Sequence, residues 1–248
     1  MDFFDILGDS AKAQGHFIEQ GSDEWREARV GRFTGSEMFK LVDPGKRDMT
    51  PCELASRPKN GEGSRTKQIY DIKVIGEKGW TYIYQKAAET LTGQLDDEVY
   101  AWALVRGKEM EPEAVEFFES RTGLTCDPVG FVPFTDHAGS SPDRMVSDGS
   151  ILEIKCPSKS HNQLHYLLLT DHWDLKREYP EYYWQIQTNI LFTGAEKGYF
   201  AAYDPRYKIE KQRMAILEIP IVKADHDLIV TKIAVATEEK IKLIKLLS

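Results

Sequence analysis

Cysteine is scarce: Cys52, Cys126 and Cys156 are the three in 248 residues, far apart and in no CxxC pair. That spacing argues against a disulfide framework, a structural zinc or a thiolate-ligated cluster, and leaves three reduced thiols. Long apolar runs are missing too. No stretch approaches the roughly 20 residues that a membrane-spanning helix needs, and the opening MDFFDILGDS has acids where a secretory leader carries its basic region. A cytoplasmic protein with no membrane partner is expected. No internal repeat or low-complexity tract points to a solenoid or a tethered tail. Positive charge is also in deficit, since 32 Lys and Arg against 40 Asp and Glu give a net −8. Such a balance excludes a uniformly basic coat for nucleic acid while leaving room for a local basic site. Finally, GEGS at residues 61–64 lacks the Gly-Lys-Ser/Thr ending of a phosphate-binding Walker loop, and no GxSxG elbow is present.

What is there is an ordinary globular composition, 41% hydrophobic and 29% charged. Ser22 can cap a short helix through Trp25 and Arg29, and Thr34 with Glu37 forms a capping box opening a second helix that Pro44 ends. Residues 56–66, SRPKNGEGSRT, read as an exposed connector. Beyond it, Thr66 to Thr92 reads as helix with a break at Gly76 to Gly79, and Glu98 to Thr122 as a long helix ended by Gly123. The period then changes: Leu124–Val132, His137–Ser147 and Ser150–Cys156 read as short strands. Helices around 159–170 and 179–193 follow, then strands GYFAAYDP and MAILEIPIV, then an amphipathic helix from Asp225 to Leu247. The expected class is α/β of the α+β type, a central mixed sheet flanked by helices. We expect one domain over 1–248, with a helical N-terminal part to about residue 123 and the sheet core in about 124–248.

The densest chemistry lies in Ser141-Pro-Asp143 followed by Leu152-Glu153-Ile154-Lys155-Cys-Pro157. Ser147-Asp148-Gly149 suits a three-residue hairpin loop, a type I turn with glycine in the left-handed position. That loop sets Val146 opposite Ser150 and, counting back, Asp143 opposite Glu153, both carboxylates on one face. Lys155 points to the same side. A two-residue loop would instead put Asp143 opposite Ile154, on the wrong face. Two hard carboxylates beside an ammonium suit metal-assisted phosphodiester hydrolysis with Mg²⁺ or Mn²⁺. Spacing alone leaves the alternative that Asp143 is a turn residue and Glu153 and Lys155 an exposed pair.

Blocks elsewhere add to that hairpin: Trp25-Arg-Glu-Ala-Arg29-Val-Gly-Arg-Phe-Thr-Gly-Ser36, Arg106-Gly-Lys-Glu-Met-Glu111, Gln185-Ile-Gln187, and Tyr199-Phe-Ala-Ala-Tyr-Asp-Pro-Arg206. In this order, together with the hairpin, they resemble the phage lambda-type exonuclease or YqaJ-like viral recombinase family of the PD-(D/E)XK nuclease superfamily. The resemblance implies a restriction-endonuclease-like core and makes Asp143 and Glu153 metal ligands, with the Ile154 carbonyl a third and Glu111 completing the site. It puts Lys155 near the attacking water and gives Gln185 a share in holding the water or the metal. It assigns Arg29, Ser36 and Ser141 to the terminal 5′-phosphate, and places His161, with Lys159 close by, where the family has a basic phosphate contact. It further implies a Mg²⁺-dependent exonuclease (Mn²⁺ substituting) that digests one strand of linear duplex DNA 5′→3′. A homotrimeric ring and a single-strand annealing partner belong to the same picture. Arg57, Lys59, Arg65 and Lys67 of the connector are candidate duplex contacts. The other readings weighed are a different PD-(D/E)XK endonuclease or repair nuclease, and an idle DNA-binding subunit.

From the residues themselves, Glu109, Glu111 and Glu113 are spaced so that only one comfortably faces a given site, and Gln187, about 200° from Gln185, is expected to do something structural. Tyr and Trp residues at 179–184 suit core or interface better than base stacking.

Overall fold

Ser22 opens the first helix among the described residues, α1 (Asp23–Arg29), as its sequence predicts, its Oγ accepting from the Trp25 N–H at 3.1 Å. The computed structural model describes residues 18–55, 68–96 and 102–247. After α1 come β1 (Phe33–Thr34), a 3₁₀ turn (Gly35–Glu37), α2 (Met38–Val42), β2 (Pro44–Asp48), α3 (Pro51–Ala55), β3 (Gln68–Ile75), α4 (Glu77–Thr92) and α5 (Trp102–Thr122). The second half holds β4 (Cys126–Pro128), β5 (Val132–Thr135), β6 (Ala138–Ser140), β7 (Arg144–Val146) and β8 (Ile151–Lys155). Helices α6 (Ser160–Leu167), α7 (His172–Glu178) and α8 (Pro180–Thr193) follow, then β9 (Lys197–Tyr203), β10 (Met214–Pro220) and α9 (Lys223–Leu247).

Three expectations need correction. Gln68–Ile75 is a strand, not the first half of a helix from Thr66, and it pairs antiparallel with Pro44–Asp48. Five of its eight residues are β-branched or aromatic, and Gly76 then starts a separate helix. The N-terminal part is therefore not purely helical. Nor does Thr34 form a capping box: its Oγ1 lies 3.3 Å from the Tyr82 hydroxyl and 3.4 Å from Ser36 Oγ, and the backbone enters the helix through a 3₁₀ turn. Helix α7 was not anticipated, although Asp171 caps it by accepting from the Trp173 and Asp174 N–H groups at 2.8 and 2.9 Å.

A five-stranded sheet runs β10-β9-β8-β7-β4, with β8 at its centre. The β8–β9 pair is parallel and the other pairs are antiparallel. The parallel pair needs a crossover, supplied by α6 to α8. Alternation along β8 sends Leu152 and Ile154 to one side, where they meet Ala114 and Phe118 of α5 together with Ala201 and Tyr203. The other side belongs to α8: Ile151, Phe200 and Ala202 pack with Tyr183, Ile186 and Ile190. A smaller sheet, β1-β6-β5, has β1 parallel to β6 with Phe33 opposite Ala138. Among the described residues no helix is long and apolar enough to cross a membrane.

Candidate active site

The β7–β8 hairpin has the register its sequence predicts. Arg144 pairs with Leu152 and Met145 with Ile151. The Val146 N–H donates to the Ser150 carbonyl at 2.8 Å, and the Gly149 N–H to the Val146 carbonyl at 2.9 Å. Gly149 has φ +82°, the left-handed conformation that closes a three-residue loop at little cost. Counting on from Arg144–Leu152 brings Asp143 opposite Glu153. Its Oδ2 accepts from the Ile154 N–H at 2.6 Å, which ties the carboxylate to the strand carrying its neighbour.

Glu153 is only 1% exposed. Lys155 Nζ donates to its Oε1 at 2.6 Å, and Asn189 Nδ2 of α8 to its Oε2 at 3.2 Å. Lys155 also lies 3.5 Å from Gln185 Oε1 and 4.9 Å from the centre of the Tyr182 ring. Burial, together with the Glu153 charge, pushes the Asp143 carboxyl well above the usual carboxylate range, and burial raises Glu153 too. Burial opposes the Lys155 ammonium, but the Glu153 and Asp143 carboxylates outweigh it and its pKa is raised. This is a concentration of like charge that one ammonium does not fully balance.

These groups line an open cleft of about 200 Å³ that also takes in Arg29, Ser36 and Ser141, along with Gln20, Trp25, Thr34 and Gly35. The Trp25 Nε1–H donates to Ser141 Oγ at 2.9 Å, and the Arg29 guanidinium stacks 4.0 Å from the Trp25 ring centre. Trp25 thus orders two of the three expected phosphate contacts, a role its sequence did not reveal. The turn after α1 is held from two sides: Glu89 of α4 accepts from the Gly31 N–H at 3.0 Å, and buried Lys240 of α9 donates to the Gly31 carbonyl at 2.7 Å. Gly31 has φ +67°, and a Cβ there would overlap Thr90 Oγ1.

A family model describing the YqaJ-like viral recombinase domain matches residues 24–196, more than half of the chain. The chain belongs to the YqaJ-like viral recombinase family. No curated protein sequence matches it. Among solved structures, this YqaJ-like protein is similar to the alkaline exonuclease LHK-Exo of Laribacter hongkongensis, at 24% identity and TM-score 0.66, covering 91% of this chain and 96% of that one. The LHK-Exo complex with dAMP gives 23%, 0.67 and the same coverage. A phage-related exonuclease of Haemophilus somnus 129PT gives 15% and 0.65 over 88% of this chain and 96% of that one. The shared architecture is a mixed sheet between helices, the class the residues led us to expect and the PD-(D/E)XK fold that the family resemblance implied.

Other expected residues of the YqaJ-like site are placed less centrally. Glu111 reaches the hairpin from the α5 side and is ion-paired with Arg144 at 2.6 Å, while the same Arg144 Nη1 donates to the Asp143 carbonyl at 2.6 Å. Arg144 escaped notice because the alternation turns it away from Asp143. Glu109 and Glu113 are both exposed, and Glu113 also accepts from the Tyr203 hydroxyl at 2.8 Å. Gln187 is structural, as expected: it donates to the Pro220 carbonyl at 2.8 Å and accepts from the Val222 N–H at 3.3 Å. Lys159 and His161 are exposed at the start of α6. Arg57, Lys59, Arg65 and Lys67 lie outside the described residues. In the 179–184 cluster, Tyr183 and Trp184 are buried in the core.

Among the described residues no three His, Cys, Asp or Glu side chains gather closely enough to hold a metal ion unaided. Asp143 and Glu153 nonetheless fit a hard divalent cation. They are oxygen donors on one face, Glu153 buried and Asp143 half-buried at the cleft, and short of positive charge, and Mg²⁺ characteristically takes one or two carboxylates and keeps several waters.

Proposed function

We propose that this protein is a Mg²⁺-dependent exonuclease, with Mn²⁺ able to substitute, that digests one strand of linear duplex DNA 5′→3′ from a 5′-phosphorylated end and leaves 3′ single strands for recombination. Membership in the YqaJ-like family supports a nuclease of the lambda type. The observation that carries the finer reading is that Asp143, Glu153 and Lys155 share one cleft with Arg29, Ser36 and Ser141. At about 200 Å³ the cleft falls below the ~300–1,000 Å³ of pockets that swallow a small-molecule ligand. That size suits the phosphorylated tip of a strand, with the rest of the DNA outside.

In this reading Arg29 grips the terminal phosphate with its guanidinium while the Ser36 and Ser141 hydroxyls donate to its oxygens. Asp143, Glu153 and the Ile154 carbonyl would hold the cation, with Glu111, now paired with Arg144, as a further candidate ligand. A bound cation would supply Lewis acidity and acidify a water. Lys155, anchored on Glu153, orients that water and places positive charge beside the phosphate as negative charge builds on it. Gln185 steadies the Lys155 end of the site. Lys159, His161 and the connector residues Arg57, Lys59, Arg65 and Lys67 contact the duplex. A homotrimeric ring reconciles the net charge of −8 with DNA binding, since basic residues line its channel and acids face outward. Chain 1–248 acts as one nuclease domain in the bacterial cytoplasm, beside a single-strand annealing protein.

The test is digestion of linear duplex with Mg²⁺, comparing 5′-phosphate, 5′-hydroxyl and closed circular substrates, with Lys155→Ala as control. Loss of nucleotides from phosphorylated linear ends, abolished in the variant, is the expected result. Cleavage of the circle would make the hairpin an endonuclease site, and no cleavage of any substrate would leave a DNA-binding subunit.

A further inference from the structure

Asn189 belongs to none of the sequence blocks, yet it stands where the two halves of the cleft meet. It is 1% exposed and lies one helical turn after Gln185, on the face of α8 that looks onto β8. Its Nδ2 donates to Glu153 Oε2 at 3.2 Å, the oxygen that Lys155 leaves to it. Its other amide atom faces the phosphate side. A Cβ built on Gly35 would come within 2.6 Å of Asn189 Oδ1, well inside normal contact. Gly35 begins the 3₁₀ turn that presents Ser36. Its backbone has no positive φ, so its conformation does not demand glycine; a side chain there would instead push the Asn189 amide out of its present place.

We propose that Asn189 is a positioning residue that locks the orientation of the Glu153 carboxylate, and that the bare Cα of Gly35 keeps Asn189 in place. The turn carrying Ser36 and the strand carrying Glu153 are then set against each other through a single side chain. Partners that orient a ligating carboxylate are worth about 10–100-fold in metal affinity or activity when removed. This inference rests on the nuclease reading above and adds a residue to it.

The experiment uses the full chain and two readouts: Mn²⁺ binding in the absence of DNA, followed by electron paramagnetic resonance, and steady-state digestion of 5′-phosphorylated duplex. Asn189→Leu keeps the branched shape and the number of heavy atoms, though its methyl groups are bulkier, and removes the donor. We expect about tenfold weaker Mn²⁺ binding and a kcat lower by about 10–100-fold, with KM for DNA within about twofold and a lowered Tm from the stranded Glu153 oxygen, in a protein still folded at the assay temperature. Gly35→Ala, on the opposite wall, should reproduce both losses. In an Asn189→Ser background the displaced amide is gone, so adding Gly35→Ala should cost little more; the two changes should be far from additive. Wild-type Mn²⁺ affinity and kcat in Asn189→Leu would overturn the positioning role. Additive losses for Gly35→Ala and Asn189→Ser would overturn the link between the walls. If the wild-type protein digests no DNA but Mn²⁺ binding still falls in Asn189→Leu and Gly35→Ala, the nuclease reading fails while the carboxylate lock stands.

Discussion

The two faces of β8 are made by alternate residues of one five-residue strand, yet they obey opposite rules. Leu152 and Ile154 look toward α5 and pack into an apolar cluster with Ala114, Phe118 and Ala201, so that face is held chiefly by area removed from water. Glu153 and Lys155 look toward α8, where a carboxylate that is 1% exposed survives because an ammonium and an amide each take one of its oxygens. Burial of charge is costly unless it is paired, and removing one partner leaves the other stranded. One face therefore supplies rigidity, and the other uses it to hold charges that would otherwise relax apart.

The comparison can be broken in several places. The largest effect is expected from Asp143→Ala, which should lower the rate of strand digestion by about 10³-fold or more, several kcal/mol of transition-state stabilisation. Its thermal unfolding should stay near wild type, because the change removes repulsion with Glu153; a strongly destabilised variant would mean that the charged face also bears structural load. Leu152→Ala should do the converse. A fully buried leucine lost from the α5 face costs about 2–5 kcal/mol, visible as a shifted denaturant midpoint, while turnover per folded molecule holds. A parallel fall in turnover would show that the faces are not separable.

Arg29→Ala tests the rim. Loss of one charge-assisted contact, about 1.5–3 kcal/mol, should cut the preference for 5′-phosphate over 5′-hydroxyl ends by roughly 10–100-fold, measured as a ratio of kcat/KM values. An unchanged ratio would remove Arg29 from the phosphate pocket. The smallest effect concerns Lys240, a buried amine whose chief contact is a carbonyl. Burial brings its pKa down to about 8, below the value it has in an unfolded chain. Between these values the unfolded chain binds the proton and the folded one does not, so stability should rise with pH above about 8. Relative to Lys240→Met, wild-type Tm should therefore gain between pH 8 and 10; a flat difference would show that the amine is not titrating in place.

Much of this arrangement was legible in the residues, and the exceptions share a cause. The hairpin register followed from local rules, since one loop length and one glycine decide which carboxylates share a face. The helices α1, α5, α8 and α9 followed from caps and spacing. What local rules could not supply were contacts across the fold: Asn189 meeting Gly35, Trp25 reaching Ser141, Arg144 dividing itself between Glu111 and Asp143. Residues 68–75 were misread for the same reason. Their partner strand lies on the far side of the connector, and that pairing, together with the β-branched and aromatic residues, makes the segment extended.

The Gly31 turn also fixes an order of events. Its carbonyl is bound by a lysine 209 residues further along the chain, and its N–H by a glutamate 58 residues along. Helix α1, with Arg29 on its last turn, emerges early in synthesis but lacks its carbonyl partner until residue 240 has been made. A ribosome-bound fragment ending before α9 carries Arg29 without the fixed angle at which the finished fold presents it. The cleft is thus among the last features to be completed as the chain is made, and nascent copies carry its residues before the turn that sets them is fixed.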